Sequence, residues 1–428
     1  MTTRVRAFEL WMLSNLVTGA VMGAFVVLLI PPFITKVTGS AARAGVVFAV
    51  ISLAALTGPV FGRIADRYHA HRLVYSFSFV GMALAFAILA VDDAHDIYSP
   101  IAGILLGASL SAKGSVGSGF LVGSGLPEEV QSRQLTVFNL LIFGGQILGG
   151  LLVAGLNLAG VGFRGQFWTA ALLIAAGAVL TALTTAEPAR RIRDTTDAAE
   201  RERATVLISA APGIEPDEWA PAEAPQRDRA AFVALLAVVS LGAVGLSILS
   251  SQVANIFPAV FQIPQVVTSV LISGAGLLGI PAVIITGSWM ARSGPIPALR
   301  ASVTARAIGF VGLATTGLLA GGVGAAALAS VLYLAIMTAS SLQRSPLPRI
   351  AALLSTSGAA EANGLTGAAG AGGALVGSLA AGLIADVFSY EAVLWVAGFA
   401  ALVAVPFLGV IARAVARVRG AGQSSEQA

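Results

Sequence analysis

The sequence predicts an all-α integral membrane protein with twelve transmembrane helices in two pseudo-symmetric six-helix bundles. Three observations carry this. Hydrophobic residues make up 57% of the 428 positions and charged residues only 11%, with a mean hydropathy of +0.87. Soluble chains carry roughly 25% charged residues, and a soluble fold has too little interior to hide this much apolar surface. Next, the apolar residues gather into twelve stretches of the length, about 20 residues, that crosses a hydrocarbon core as a helix. Finally, the two halves of the chain resemble each other at one shared offset.

In order, the stretches fall at 8–30, 41–61, 73–91, 98–123, 135–158, 166–186, 230–257, 266–290, 298–320, 323–343, 358–385 and 391–412. Each is helical because lipid offers no hydrogen bonds, so a single span must satisfy its own backbone. The first follows Arg4 and Arg6, as a secretory signal would. Its length of about 23 residues, with Glu9 and Trp11 at the start, fits a retained span. Between the sixth and seventh stretches, 188–229 holds five prolines and sixteen of the chain's 46 charged residues. That composition is a solvated linker, with a short amphipathic helix expected at Asp197–Ile208. The domains are thus an N-terminal six-helix bundle (1–187), a cytoplasmic linker (188–229), and a C-terminal six-helix bundle with a short cytoplasmic tail (230–428).

Positive charge orients the chain. Of 25 Lys and Arg residues, 20 lie in segments on the side of the N-terminus, while Lys36, Arg43 and Arg164 lie opposite, and Lys113 and Arg306 fall within spans. The positive-inside rule then puts both termini in the cytoplasm of a multi-pass cell-membrane protein, expected in a cell inner membrane. The pI near 9.8 follows from this topology, so no nucleic acid partner is expected. There are no cysteines, hence no disulfides or thiolate metal sites. His69, His71 and His95 all fall in connecting segments, which leaves no metal-ligand cluster and no expected cofactor. The spans hold no His, no Cys and no central carboxylate, so the chain is not expected to be an enzyme.

The halves pair at three places. Arg164–Ala178 resembles Tyr390–Ala404, with Trp168 matched to Trp395; Ser111–Gly117 resembles Leu342–Pro348; and Gly62–Leu73 resembles Gly287–Leu299. All three lie roughly 225–231 residues apart, and chance matches would scatter.

The loop "GRIADRYHAHRL" (Gly62–Leu73) concentrates charge between two apolar spans. It resembles the loop signature of the major facilitator superfamily, approximately G-x-L-A-D-R-x-G-R-(R/K)-x-x-(L/I), through Gly62, Ile64, Ala65, Asp66, Arg67, Arg72 and Leu73. His69 stands where the second Gly is expected, and Ala70 and His71 replace the basic pair. The fourth span resembles the pattern R-x-x-(Q/G)-G-x-(G/A) through Lys113, Gly117 and Gly119, with Lys for Arg. The fifth resembles the antiporter signature G-P-x-x-G-G-x-(L/I) through Gly145, Gly149, Gly150 and Leu152, with Gln146 in the place of proline. The resemblance implies a secondary transporter whose halves rock about a central site. It assigns Gly62, Asp66 and Arg67 to a cytoplasmic gate, and implies that the first, fourth, seventh and tenth spans line the cavity.

An ionisable residue inside a span is costly and is a functional candidate by default. Lys113, about 15 residues into the fourth span, is the clearest, and Arg344 is its repeat partner. With Asn15, Gln252 and Asn255 they form the expected substrate-binding set, and Phe25, Phe257 and Tyr333 are candidate apolar walls. Arg306 reads as an interfacial anchor. The glycines Gly145, Gly149 and Gly150 suit close helix packing. Two opposed cations would suit an anionic substrate. Glu9 and Glu361 are the best-placed acids for proton coupling, yet both sit near span ends, so protons and a counter-anion both stay open as coupling species.

The function expected is secondary active transport of a small organic solute by alternating access: efflux of an amphipathic or anionic compound, with antiport the lean of the fifth-span signature. Uptake or exchange of an organic anion is the alternative, and a non-transporting receptor or assembly factor the minor one. The partners expected are the substrate and the lipid bilayer, with the chain a monomer.

Overall fold

The computed structural model describes residues 8–91, 98–122, 126, 128–195, 229–319, 322–355 and 359–425. Among them are twelve helices long and apolar enough to span a membrane: α1 Leu10–Thr38, α2 Ala41–Arg67, α3 His71–Val91, α4 Tyr98–Leu121, α5 Arg133–Leu158, α6 Phe163–Thr184, α7 Arg229–Phe261, α8 Gln265–Met290, α9 Pro295–Gly317, α10 Val323–Leu342, α11 Gly364–Val387 and α12 Tyr390–Arg417. A further helix covers 186–195 and overlaps the start of the stretch read as linker. The expected helix at Asp197–Ile208 lies outside the described residues, as does His95.

The apolar stretches locate the helices but underestimate some. Helix α1 runs eight residues past Ile30, through Pro31 and Pro32, and stops at Gly39, whose φ of +70° suits glycine. Proline in a helix interior removes a hydrogen bond and crowds the carbonyl four residues back. Here Val26–Ile34 is buried throughout, and Phe33 packs edge-on against Phe163 and Phe167, so packing overrides the proline. Helix α7 likewise continues through Pro258 to Phe261. Helix α1 also holds a π-helical turn at Val21–Phe25.

The pseudo-symmetry is visible in the pairings. In the first half α1 packs on α5, α2 and α6 pack on α4 and α3 respectively, and α3 packs on α4. Adding six to each label gives the second half: α7 on α11, α8 on α10, α12 on α9, and α9 on α10. The halves are joined by α2 against α11 and α5 against α8, and the same operation exchanges these two seams. Trp168 and Trp395 reach the same environment, 40% and 41% exposed at the fifth residue past the start of α6 and α12. Such exposed tryptophans near helix ends match an interfacial aromatic belt.

We call the side where α1 begins the terminal face and its opposite the distal face. Seams between helices are built on small residues, because lipid tails are as apolar as leucine and association must come from close packing. A Cβ at Gly45 would stand 2.5 Å from the Ser378 carbonyl, and one at Gly382 2.7 Å from that of Ala41, so α2 and α11 touch backbone to backbone near the distal face. At the same end Asp386 of α11 caps α2 from the other half: it accepts from Ser40 Oγ (2.5 Å), Ala41 N (2.7 Å) and Ala42 N (3.1 Å). The α5–α8 seam runs from Gly150 against Ser269 and Ser273 to Gly279 against the Phe143 ring, distal to middle depth. Towards the terminal face, Gly287 of α8 and Gly364, Gly367 and Gly372 of α11 have open space where a Cβ would be.

Candidate functional site

Lys113 points into the first half, not out to lipid. It is 3% exposed, and its Nζ donates to Asn15 Oδ1 on α1 (2.5 Å) and lies 4.8 Å from the centre of the Phe138 ring on α5. A desolvated ammonium over an aromatic face gains about 2 kcal/mol. The surroundings are otherwise aromatic: Trp11 packs edge-on against Tyr75 and Phe120, and Ser14 shares a hydrogen bond with the Tyr75 hydroxyl (2.9 Å). Asn15 is fully buried, and its Nδ2 has no hydrogen-bond partner among the described residues. The pair therefore offers donors and little acceptance: an ammonium with three N–H groups and an amide with two.

Gln252 and Asn255 are set apart from that pair. Asn255 Nδ2 donates to Gln252 Oε1 (2.9 Å) and to Thr35 Oγ1 on α1 (3.0 Å), and Gln252 Nε2 donates to the Ala41 carbonyl (3.2 Å). They belong to the distal seam and tie α7 to α1 and α2. Arg344 follows the last turn of α10, and its guanidinium stacks 5.2 Å from the Phe143 ring of α5, across the seam between the halves. The two cations from opposite halves thus rest on two phenylalanines of one helix. Phe25, Phe257 and Tyr333, the candidate apolar walls, are buried, with Phe257 edge-on to Tyr333 at 5.3 Å.

The charged loop compensates for its departures from the signature. His69 adopts φ +50°, the left-handed turn that the expected glycine would take. His71 is buried, and its Nε2 meets Asp66 Oδ1 at 2.9 Å, so it supplies the partner that a basic residue would. Arg72 donates to the Ala182 carbonyl in the last turn of α6 (2.6 Å), and the Arg67 guanidinium lies 5.8 Å from the ring of neighbouring Tyr68. Gly62 is not where helices approach closely, since a Cβ there would make only an ordinary 3.8 Å contact with Ser115. The close approach is one turn earlier at Gly58, where a Cβ would meet Ser111 Oγ at 2.5 Å. Ser111 Oγ donates to the Ala55 carbonyl (2.5 Å) and Ser115 Oγ to that of Gly58 (3.0 Å), so both serine hydroxyls brace the break in α2 at Leu56–Thr57.

The fifth-span glycines face two ways. A Cβ on Gly145 would stand 1.9 Å from the Leu16 carbonyl and one on Gly149 2.8 Å from Ala20, both on α1; Gly150 faces Ser273 of α8. Gln146, in the signature's proline position, donates to the Ile272 carbonyl of α8 (3.0 Å) and packs against Gly23 in the π-turn of α1. A polar side chain in mid-span was the signal available for it in the sequence.

The partners of three further residues were not legible in the sequence. Glu9 accepts from Trp11 Nε1 (2.9 Å), Gln134 Nε2 (3.0 Å) and Arg191 Nη2 (2.5 Å), which pins the start of α1 to α5 and to the helix at 186–195. The side chain of Glu361 lies outside the described residues. Arg306 is not at an interface but 3% exposed between α7, α9 and α12. Asp386, near the end of α11, is the cap that joins the halves.

No curated protein sequence matches the chain. Solved structures do. The nucleoside transporter NupG matches at TM-score 0.66 and 13% identity, covering 94% of this chain and 98% of that one. The peptide transporter POT in complex with sulfate matches at TM-score 0.72 and 15% identity, covering 96% and 94%. The xylose transporter XylE from E. coli, in an inward-open conformation, matches at TM-score 0.69 and 14% identity, covering 93% and 94%. At these identities the likeness is one of fold. The sequence profile of the Major Facilitator Superfamily matches residues 11–354, four-fifths of the chain. With twelve spans, duplicated pairings and that match, this multi-pass membrane protein belongs to the Major Facilitator Superfamily and is a secondary transporter of that type.

Proposed function

We propose that the chain exports a small amphipathic or anionic organic solute across a cell inner membrane, with both termini in the cytoplasm. One observation carries the solute class: Lys113 is a buried cation whose described contacts are an amide oxygen and an aromatic ring, with no carboxylate among them, beside the unused Nδ2 of Asn15. A carboxylate or other anionic group on the solute would satisfy both. The 20-to-3 asymmetry of basic residues supports the orientation. The distal seam of Thr35, Ala41, Gln252, Asn255 and Asp386 supports a state closed on the outside. The fifth-span signature gives a lean to export.

Exchange or uptake of an organic anion is the second reading. Glu9, the best-placed acid, is engaged by Arg191, Gln134 and Trp11 at the start of α1, outside the middle of the membrane. The test is flux into and out of proteoliposomes after a thermal-shift screen of organic anions, with Lys113→Ala as control. Acidification coupled to substrate movement supports proton antiport; acceleration by substrate on the far side, without proton movement, supports exchange. Stabilisation of wild type and Lys113→Ala by the same anions would overturn the assignment of Lys113.

A further inference from the structure

We propose that the pocket at Arg306 is a binding site for one monoatomic anion of halide size, separate from the solute site. Arg306 sits eleven residues into α9, and a span of this length puts that near the middle of the hydrocarbon. Its guanidinium is buried, and Nη1 has no hydrogen-bond partner among the described residues. The side chains that line the pocket come from three helices: Gly242 of α7, Val303 and Phe310 of α9, and Ala401 and Ala404 of α12. None accepts a hydrogen bond. A guanidinium stays protonated and carries five N–H donors in a fixed fork. A buried charge without a counter-charge is strongly unfavourable, so such a cation calls for an anion.

The space suits a small one. Helix α7 carries glycine where the guanidinium lies: a Cβ at Gly242 would stand 2.9 Å from Nη2 and 3.1 Å from Nη1. Alanines on α12 keep the opposite wall back, and the room left takes one guest about the size of a water molecule. Phosphate, carboxylate and sulfate groups are too large for it. The duplicated chain supplies a contrast. Gly242 lies 228 residues after Ser14 and Arg306 lies 231 after Tyr75, both within the repeat offset. In the first half Ser14 and Tyr75 close this same junction with their own hydrogen bond at 2.9 Å. In the second half the hydroxyl pair is replaced by a cation and a gap, so the junction is completed from outside the chain.

The test uses the full-length protein, purified in detergent at constant ionic strength, with bromide titrated against gluconate. Wild type should show a saturable rise in Tm, on the order of 2–4 °C. Equimolar phosphate should not reproduce it. Arg306→Leu should lose the bromide response while keeping a Tm in gluconate at or above that of wild type, because an unpaired buried charge has been removed. Gly242→Ala, which fills the space but keeps the charge, should weaken the response at least tenfold in bromide concentration, and serves if Arg306→Leu does not fold. Equilibrium dialysis with radiolabelled chloride should find about one ion per wild-type chain. No saturable halide response in wild type, an equal response in both variants, or well under one chloride per chain would mean that the pocket holds water alone, and the site would be discarded.

Discussion

At the scale of single residues, the chemistry of the candidate site rests on a charge taken out of water. Lys113 keeps an amide oxygen and a ring as its neighbours, and the proposed solute site draws on that incomplete coordination. Lys113→Ala should therefore abolish flux while the protein inserts and stays monodisperse; flux at the wild-type rate in proteoliposomes would remove Lys113 from the site. Asp66 makes a different prediction. It is largely exposed and meets His71 at the end of α2, in the loop whose signature implies a gate. Asp66→Asn should slow turnover severalfold and leave ligand affinity nearly unchanged, read by transport rate against equilibrium binding. A loss of binding with normal turnover would contradict a gating role. That a histidine replaced the expected basic residue was visible in the sequence; that it turns inward to the same carboxylate was not.

Between helices, contact distances sort glycines that look alike in the sequence. Gly145 and Gly62 both carry signature positions, yet a Cβ at the first would overlap a backbone carbonyl and at the second would rest in ordinary contact. Gly145→Val should destabilise the protein by about 1–3 kcal/mol through overpacking, whereas Gly62→Ala should leave Tm unchanged within a degree or so. Thermal unfolding in detergent reads both. Asp386 acts at the same scale, because it caps a helix of the opposite half. Asp386→Ala should remove about 1 kcal/mol from the closed distal seam, and distal-face labelling of a nearby single cysteine should rise. Unchanged labelling would show that the cap does not help to hold the halves together.

For the whole molecule, transport by alternating access requires the distal seam to part. Thr35 and Asn255 touch across it, and the chain has no cysteine of its own. Replacing both with cysteine and oxidising should stop transport, and a reductant should restore it. Transport at the wild-type rate with the cross-link complete would mean that this seam does not open in the cycle.

The sequence by itself determined the class, the number of spans, the six-plus-six division and the internal repeat, because hydrophobic length and duplicated patterns are local properties that survive in one dimension. It also marked Lys113 and the fifth-span glycines, since a charge or a run of small residues stands out against apolar sequence. Only the tertiary structure decided which partners these residues meet: that Gln252 and Asn255 belong to a seam far along the membrane from Lys113, that Gly58 and not Gly62 takes the close approach, and that Arg306 is buried between three helices. Those outcomes depend on rotation of each helix about its axis and on contacts between residues hundreds of positions apart. A hydropathy pattern with no strongly polar face does not encode that rotation.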